Sequence, residues 1–332
     1  MDSLTQAALG ASVAYACWHK PLGRKALLWG AVLGTLPDLD IVARPFLDEV
    51  ERLYLHRGES HSLWFIMVGA LVFAFFLHRW RWQEKMPFRQ VFWGMFAIFA
   101  THVLIDYFTI YGTQLLAPFS RYGFAHGNLF IIDPLYTLPL LFGIGFAVFL
   151  KSPKANHLGL YISSFYVLFS LVAHGYAHHV FTHDLREKGV HVNRSTTMAT
   201  PFNTLLWRHL AQTPEGLKVG YYSLLAPRAI TYERIPQYKE LLEPYQNWDN
   251  VKTIAWFSKG FWVAQEQDEG IRLSDARFGE IRSSIDAPPH TWGYLFSWHI
   301  TDDQRQMQRA PRAEQNLKEA LHVTYQRLIG AH

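Results

Sequence analysis

The chain has 332 residues, of which 50% are hydrophobic, 16% aromatic and only 17% charged, which is apolar for a soluble protein of this length and points to a lipid-embedded portion. One cysteine, Cys17, excludes an intrachain disulfide and a thiolate zinc cluster, so any metal must be held by nitrogen and oxygen. The net charge of +4 comes from scattered Lys and Arg rather than a basic stripe, which argues against nucleic acid as a partner and for membrane topology.

In chain order, MDSLTQAALGASVAYAC lacks the basic start of a signal peptide, and no cleavage is expected. Residues 6–18 and 26–42 are rich in Ala, Gly and Leu and predict two short, closely packed helices, either spanning or re-entrant. Four longer apolar stretches follow, at 62–78, 91–108, 135–150 and 158–176, each fit to span a bilayer. Lys20, Arg24 and Lys25, then Arg79, Arg81, Lys85 and Arg89, then Lys151 and Lys154 occupy alternate loops, which a positive-inside arrangement of six crossings places in the cytoplasm. The other loops and everything after residue 177 then lie outside, in the periplasm of a bacterium. Within that tail, 219–225 and 251–264 read as strands and 313–329 as a helix with Leu317, Leu321, Tyr325 and Leu328 on its apolar face. Trp207, Tyr221, Tyr222, Trp256 and Trp262 read as core aromatics, with a binding surface as the alternative. The fold class is therefore mainly α: a polytopic membrane helical bundle over 1–176, carrying a metal site, followed by a small α+β extracytoplasmic domain over 177–332.

Ionisable residues gather at one end of the apolar segments. GTLPDLDIV places Asp38 and Asp40 beyond Pro37, which ends or kinks the second helix. HRGESHS brings His56 and His61 to the start of the third segment. ATHVLID sets His102 and Asp106 four apart, on one helix face near the outer end of the fourth. Asp133 precedes the fifth segment, with Pro134 at its first helical position. Each has a bland alternative as a cap, an interfacial polar group or a local hydrogen-bonding pair, but topology read from Lys and Arg alone puts all of them at the same face. Ionisable groups in spans are costly and mark function. Mixed imidazole and carboxylate donors suit a divalent metal, zinc first and manganese second. Such an ion lowers the pKa of bound water to about 7 and polarises a phosphoryl or carbonyl oxygen. HExxH, GxSxG and P-loop motifs do not occur. A second group, His174, His178, His179 and His183 with Asp184, straddles the end of the sixth segment, as an interfacial helix end, a completion of the site or another ion site.

These same stretches, MDSLTQAALG, GTLPDLD, HRGESHS, THVLIDYFT and FIIDPLYTLP, resemble the YdjM-like family of bacterial inner-membrane metal-dependent hydrolases over residues 1–176. A more distant similarity is to zinc-dependent phospholipase C, where a HxxxD pair helps hold a zinc cluster; Gln6 stands where His would be expected for the full cluster. The resemblance implies a multi-pass inner-membrane hydrolase. Asp38, His61, His102 and Asp106 are the expected metal ligands, and Asp40, His56 and Asp133 the supplementary ligands or bases. A site at the outer membrane interface can admit membrane lipids sideways, so the expected substrate is a phosphoester of a lipid or lipid-linked molecule, its phosphate held by Arg57 or Arg121. The alternative is a non-catalytic, metal-stabilised membrane scaffold whose outer domain does the recognising.

Overall fold

A computed structural model of the protein describes residues 1–150, 152–267, 270–301, 304–310 and 317–330. Lys151 and residues 313–316 lie outside the described residues. The chain forms two compact units, one of 1–46 with 54–170 and the other of 47–53 with 171–332.

The first unit is helical. Helix α1 (Ser3–Leu22) starts at Asp2, whose side chain accepts from the backbone of Thr5. It packs on α2 (Lys25–Gly34), α5 (Phe88–Tyr107) and α6 (Pro134–Leu150). The contact with α2 is made backbone to backbone, because Gly10, Gly30 and Gly34 carry no side chain there. Pro37 lacks the amide proton that an α-helix would need. After Thr35 the chain continues as a 3-10 segment, Leu36–Phe46, bent 42° from α2. A short α3 (Glu51–Leu55) follows. Helix α4 (Ala70–Leu77) is extended by π turns into a continuous apolar segment, Phe65–Trp82. The long α7 (Pro153–Glu187) closes the series.

Among the described residues, Phe65–Trp82, Phe88–Tyr107 and Pro153–Glu187 are long and apolar enough to cross a membrane, and α2 with its bent continuation makes a fourth candidate. The six crossings expected from sequence are thus not all matched by span-length helices. At 17 residues α6 is apolar but short. The 20 residues of α1 instead bury Thr5, Gln6 and Ser12 inside the bundle.

The second unit is an α+β fold. Strands β1 (Arg194–Ala199), β2 (Leu206–Thr213), β3 (Gly216–Ser223) and β4 (Tyr232–Ile235) form one antiparallel sheet in sequence order. Helix α8 (Asp249–Phe257) then leads to β5 (Trp262–Gln267) and β6 (Gly270–Asp275). A two-stranded ribbon of β7 (Glu280–Ile281) and β8 (Gly293–Tyr294) follows. Finally β9 (Ser297–Thr301) and β10 (Gln304–Arg309) complete a sheet ordered β10-β9-β6-β5, and α9 (Leu317–Ile329) ends the unit.

The strand expected at 251–264 is half helix. Val251, Ile254 and Phe257 recur at helical spacing and are all buried, and Gly260 turns the chain at φ +81° before β5 begins. Trp207 and Tyr222 are core residues, as expected, whereas Tyr221, Trp256 and Trp262 are half-buried. Beside that core, Glu280 accepts from Arg208, Arg282 and Tyr221. Burial alone would raise its carboxyl pKa, but Arg208, Arg282 and Arg327 hold it well below the usual carboxylate range.

Candidate metal centre

Helical periodicity does the first part of the assembly: His102 and Asp106 project from one face of α5, and both are buried. The 3-10 turn Glu59–His61 adds His61, its backbone N–H bonded to the carbonyl of Gly58, while Ser62 caps the helix that follows by accepting from Phe65 N. The bend after α2 adds Asp38. Ligand atoms from Asp38, His61, His102 and Asp106 all lie within 4.8 Å of one another.

The two imidazoles face each other through their Nε2 atoms, 3.1 Å apart. His61 Nε2 is 3.3 Å from Asp38 Oδ1 and 3.2 Å from Asp106 Oδ2. His102 Nε2 is 3.6 Å and 3.8 Å from the same two oxygens. His102 Nδ1 donates to the carbonyl of Gly34 at 2.7 Å, which leaves Nε2 of the neutral ring as a bare lone pair aimed at the cluster. Asp106 Oδ2 is buried and has no hydrogen-bond partner. Two carboxylates and two imidazoles converging with an orphaned oxygen fit a divalent cation, which would satisfy all of them together. Burial disfavours a charge on His61, but Asp106 and Asp38 outweigh it and raise its pKa, so the field at this nitrogen favours positive charge.

The signature of the YdjM inner membrane protein family matches residues 1–177, which include every residue of this centre. The chain belongs to that family. It is also 30% identical over 136 residues to the uncharacterized protein YfhP of Bacillus subtilis (strain 168), a match that spans 38% of this chain and 38% of that protein. No solved structure matches. These comparisons do not show the more distant similarity to zinc-dependent phospholipase C.

Around this YdjM-family centre, the other residues singled out in the sequence fall into distinct places. His56 Nδ1 lies 3.2 Å from both oxygens of Asp40, and Asp40 Oδ2 also accepts from the backbone N–H of Arg57 at 3.1 Å. The His56 ring is 6.1 Å from the His61 ring, so this pair stands beside the four-residue group. Burial lowers the His56 pKa despite the opposing pull of Asp40, keeping the ring neutral near pH 7. Arg57 turns its guanidinium toward the cluster: Nη2 is 3.0 Å from Asp106 Oδ1, and Nη1 donates to Thr109 Oγ1 at 2.7 Å. Arg121 pairs with Glu59 and donates to Gln114 at 3.3 Å.

Asp133 is not drawn into the four-residue group. It caps α6, its Oδ1 accepting from the backbone of Leu135 and its Oδ2 from the Tyr166 hydroxyl at 2.9 Å. Burial pushes its carboxyl up to about 6. Because the folded pKa lies above that of the unfolded chain, the unfolded chain gives up its proton at lower pH. Stability is therefore lost as pH rises from about 4 to about 6, by up to about 3 kcal/mol. Thermal unfolding in detergent at pH 4.5 and 7 is expected to show this loss in wild type and to lack it in Asp133→Asn.

From the second histidine group, His174 and His178 bond to strand residues within the second unit. His174 Nε2 donates to the carbonyl of Thr197 at 3.1 Å, and Thr197 Oγ1 lies 2.9 Å from His178 Nδ1 and 2.7 Å from His209 Nδ1.

Sequence reasoning missed the residues that brace the ligands. Gln6 Nε2 donates to Asp106 Oδ1 at 3.0 Å, and the α-amino group of Met1 pairs with the same oxygen. Gln6 looked like a departure from a ligand pattern, yet it donates to Asp106 of the cluster. No spacing rule points from α1 to α5.

Proposed function

We propose that this protein is a membrane-bound, metal-dependent hydrolase acting on a phosphoester or related bond of a lipid or lipid-linked substrate. The observation that carries the reading is the pair of imidazole nitrogens 3.1 Å apart beside the unpartnered Asp106 Oδ2. Two imidazole nitrogens that close are held together by a shared proton or by a cation, and of the two only a cation also satisfies Asp38 and the buried Asp106 Oδ2. Asp38, His61, His102 and Asp106 would hold the ion, with zinc favoured over manganese by the two imidazoles. A divalent cation bound there supplies Lewis acidity toward a phosphoryl or carbonyl oxygen.

The remaining work falls to the chain itself. Asp40 holds the Nδ1–H tautomer of His56, leaving Nε2 as the base that takes a proton from the attacking water and returns it to the leaving oxygen. Orientation by a carboxylate keeps that ring from rotating out of register. Leu39, Ile41, Val42 and Phe46 along the bent segment, and Leu116 and Phe119 in the loop after α5, are exposed apolar side chains on the segments that carry or adjoin the ligands. They support an amphiphilic substrate whose chains stay in lipid while its head group reaches the site. The loop charges support a periplasmic position for this end and for the domain from residue 177.

The test is elemental analysis of full-length protein purified in detergent, followed by turnover of bis(p-nitrophenyl) phosphate and of phospholipid vesicles. Stoichiometric metal with turnover lost in folded His56→Ala supports the hydrolase. Stoichiometric metal without turnover on any phosphoester leaves the metal-stabilised scaffold as the better reading. No metal after reconstitution with zinc and manganese ends both.

A further inference from the structure

Asp106 is an unusual ligand because its two oxygens have opposite surroundings. Oδ1 is crowded by donors: Arg57 Nη2 at 3.0 Å, Gln6 Nε2 at 3.0 Å and the α-amino group of Met1. Oδ2, facing the imidazoles, has none. Neutral donors such as Gln6 can orient a metal-binding carboxylate, but a full positive charge beside it weakens its attraction for the ion. Here a positively charged guanidinium is buried against it.

That guanidinium is aimed from two sides. Nη1 donates to Thr109 Oγ1 at 2.7 Å and to the Asp106 carbonyl at 3.2 Å. The Arg57 backbone adopts φ +58°, a left-handed conformation that disfavours any residue with a Cβ, and from it the N–H reaches Asp40 Oδ2. One strained residue thus touches a metal ligand with its side chain and the partner of His56 with its backbone.

Resting on the metal reading above, we infer that Arg57 is a positioning residue that withdraws charge from Asp106, so that the bound cation stays electron-poor and reactive at the expense of affinity. The sign distinguishes this role from support of the fold. A residue that only shapes the site weakens metal binding when it is removed. A residue that withdraws charge strengthens metal binding and slows turnover.

The experiment measures zinc affinity of the full chain in detergent by competition with a chromophoric chelator, alongside hydrolysis of bis(p-nitrophenyl) phosphate. Arg57→Gln, which keeps a hydrogen-bond donor and loses the charge, is expected to bind zinc roughly tenfold or more tightly and to turn over roughly tenfold or more slowly. Arg57→Lys, which keeps the charge, is expected to stay within about threefold of wild type in affinity. Equal or weaker zinc binding by folded Arg57→Gln overturns the inference and leaves the metal reading standing. If Arg57→Gln does not fold, Arg57→Met, which also removes the charge and keeps much of the side-chain volume, reads the same effect, with zinc affinity again expected to rise roughly tenfold. Unchanged or weaker binding there overturns the inference. Wild type that takes up no metal overturns both.

Discussion

Asp106→Asn is expected to lose stoichiometric metal and with it all phosphoester hydrolysis, the largest effect of any single change in this protein. Losing a group that only orients a metal ligand weakens metal sites by about 10–100-fold, and loss of an anionic ligand should exceed the upper end of that range. The substitution has a second cost. Arg57 and the Met1 α-amino group both pair with Asp106 in a buried setting, and removing the anion strands them. Breaking a buried pair costs about 3–5 kcal/mol. His102→Ala separates the two effects, because it removes a ligand while leaving the Arg57–Asp106 pair intact. Both variants should lose metal in elemental analysis, and Asp106→Asn should melt at the lower temperature. Saturating zinc should raise the melting temperature of wild type, since a ligand at about 1,000 times its dissociation constant adds about 4 kcal/mol, and should leave both variants unmoved. Retention of stoichiometric metal by folded Asp106→Asn would remove Asp106 from the ligand set and dissolve the centre as described.

How much of this was legible in sequence depends on the range of each signal. His102 and Asp106 were readable as a pair because four residues is the repeat of one helix face. Grouping them with Asp38 and His61 needed only a consistent topology, since charge in the loops fixes which helix ends lie together. The second unit was readable as α+β, but 251–257 misled because Val, Ile, Trp and Phe suit both a strand and an amphipathic helix; only the burial of Val251, Ile254 and Phe257 decides between them. Arg57 as a brace of Asp106, and Gln6 with it, could not be read. Their contacts join residues 49 and 100 positions apart, and an Arg beside a lipid-facing site suggests a phosphate clamp until its guanidinium is seen to turn toward the cluster. Asp133 and the aspartates of the four-residue cluster carry the same sequence signature, a carboxylate at a helix end, and differ only in what surrounds them. The apolar pattern of 6–18 was read correctly as a packing signal, although it does not reveal that α1 lies within the bundle.

Gly30→Val is expected to destabilise the helical unit by about 3 kcal/mol or more and to weaken metal binding at a site it does not touch. A Cβ on Gly30 would sit 2.3 Å from the carbonyl oxygen of Gly10, 2.4 Å from Ala14 Cβ and 2.8 Å from Ala11 Cα. The first and last of these are backbone atoms of α1, so no rotamer change relieves the clash and the helices must separate. Overpacking of this kind costs about 1–3 kcal/mol where side chains can adjust, and more where backbones meet. Separation also moves the C-terminal end of α2, where the Gly34 carbonyl accepts from His102 Nδ1 at 2.7 Å. Once that acceptor withdraws, the imidazole loses both its fixed tautomer and its orientation, which predicts zinc affinity lower by about 10–100-fold. Gly145→Ala is the matched control: nothing lies within 4 Å of its added Cβ, and it should be neutral or stabilise α6 by about 0.5–1 kcal/mol. Thermal unfolding in detergent and chelator competition on the two variants test packing and site together. Gly30→Val with wild-type zinc affinity would show that the α1–α2 contact and the His102 orientation are independent, and that the Gly34 carbonyl is not what holds the ring.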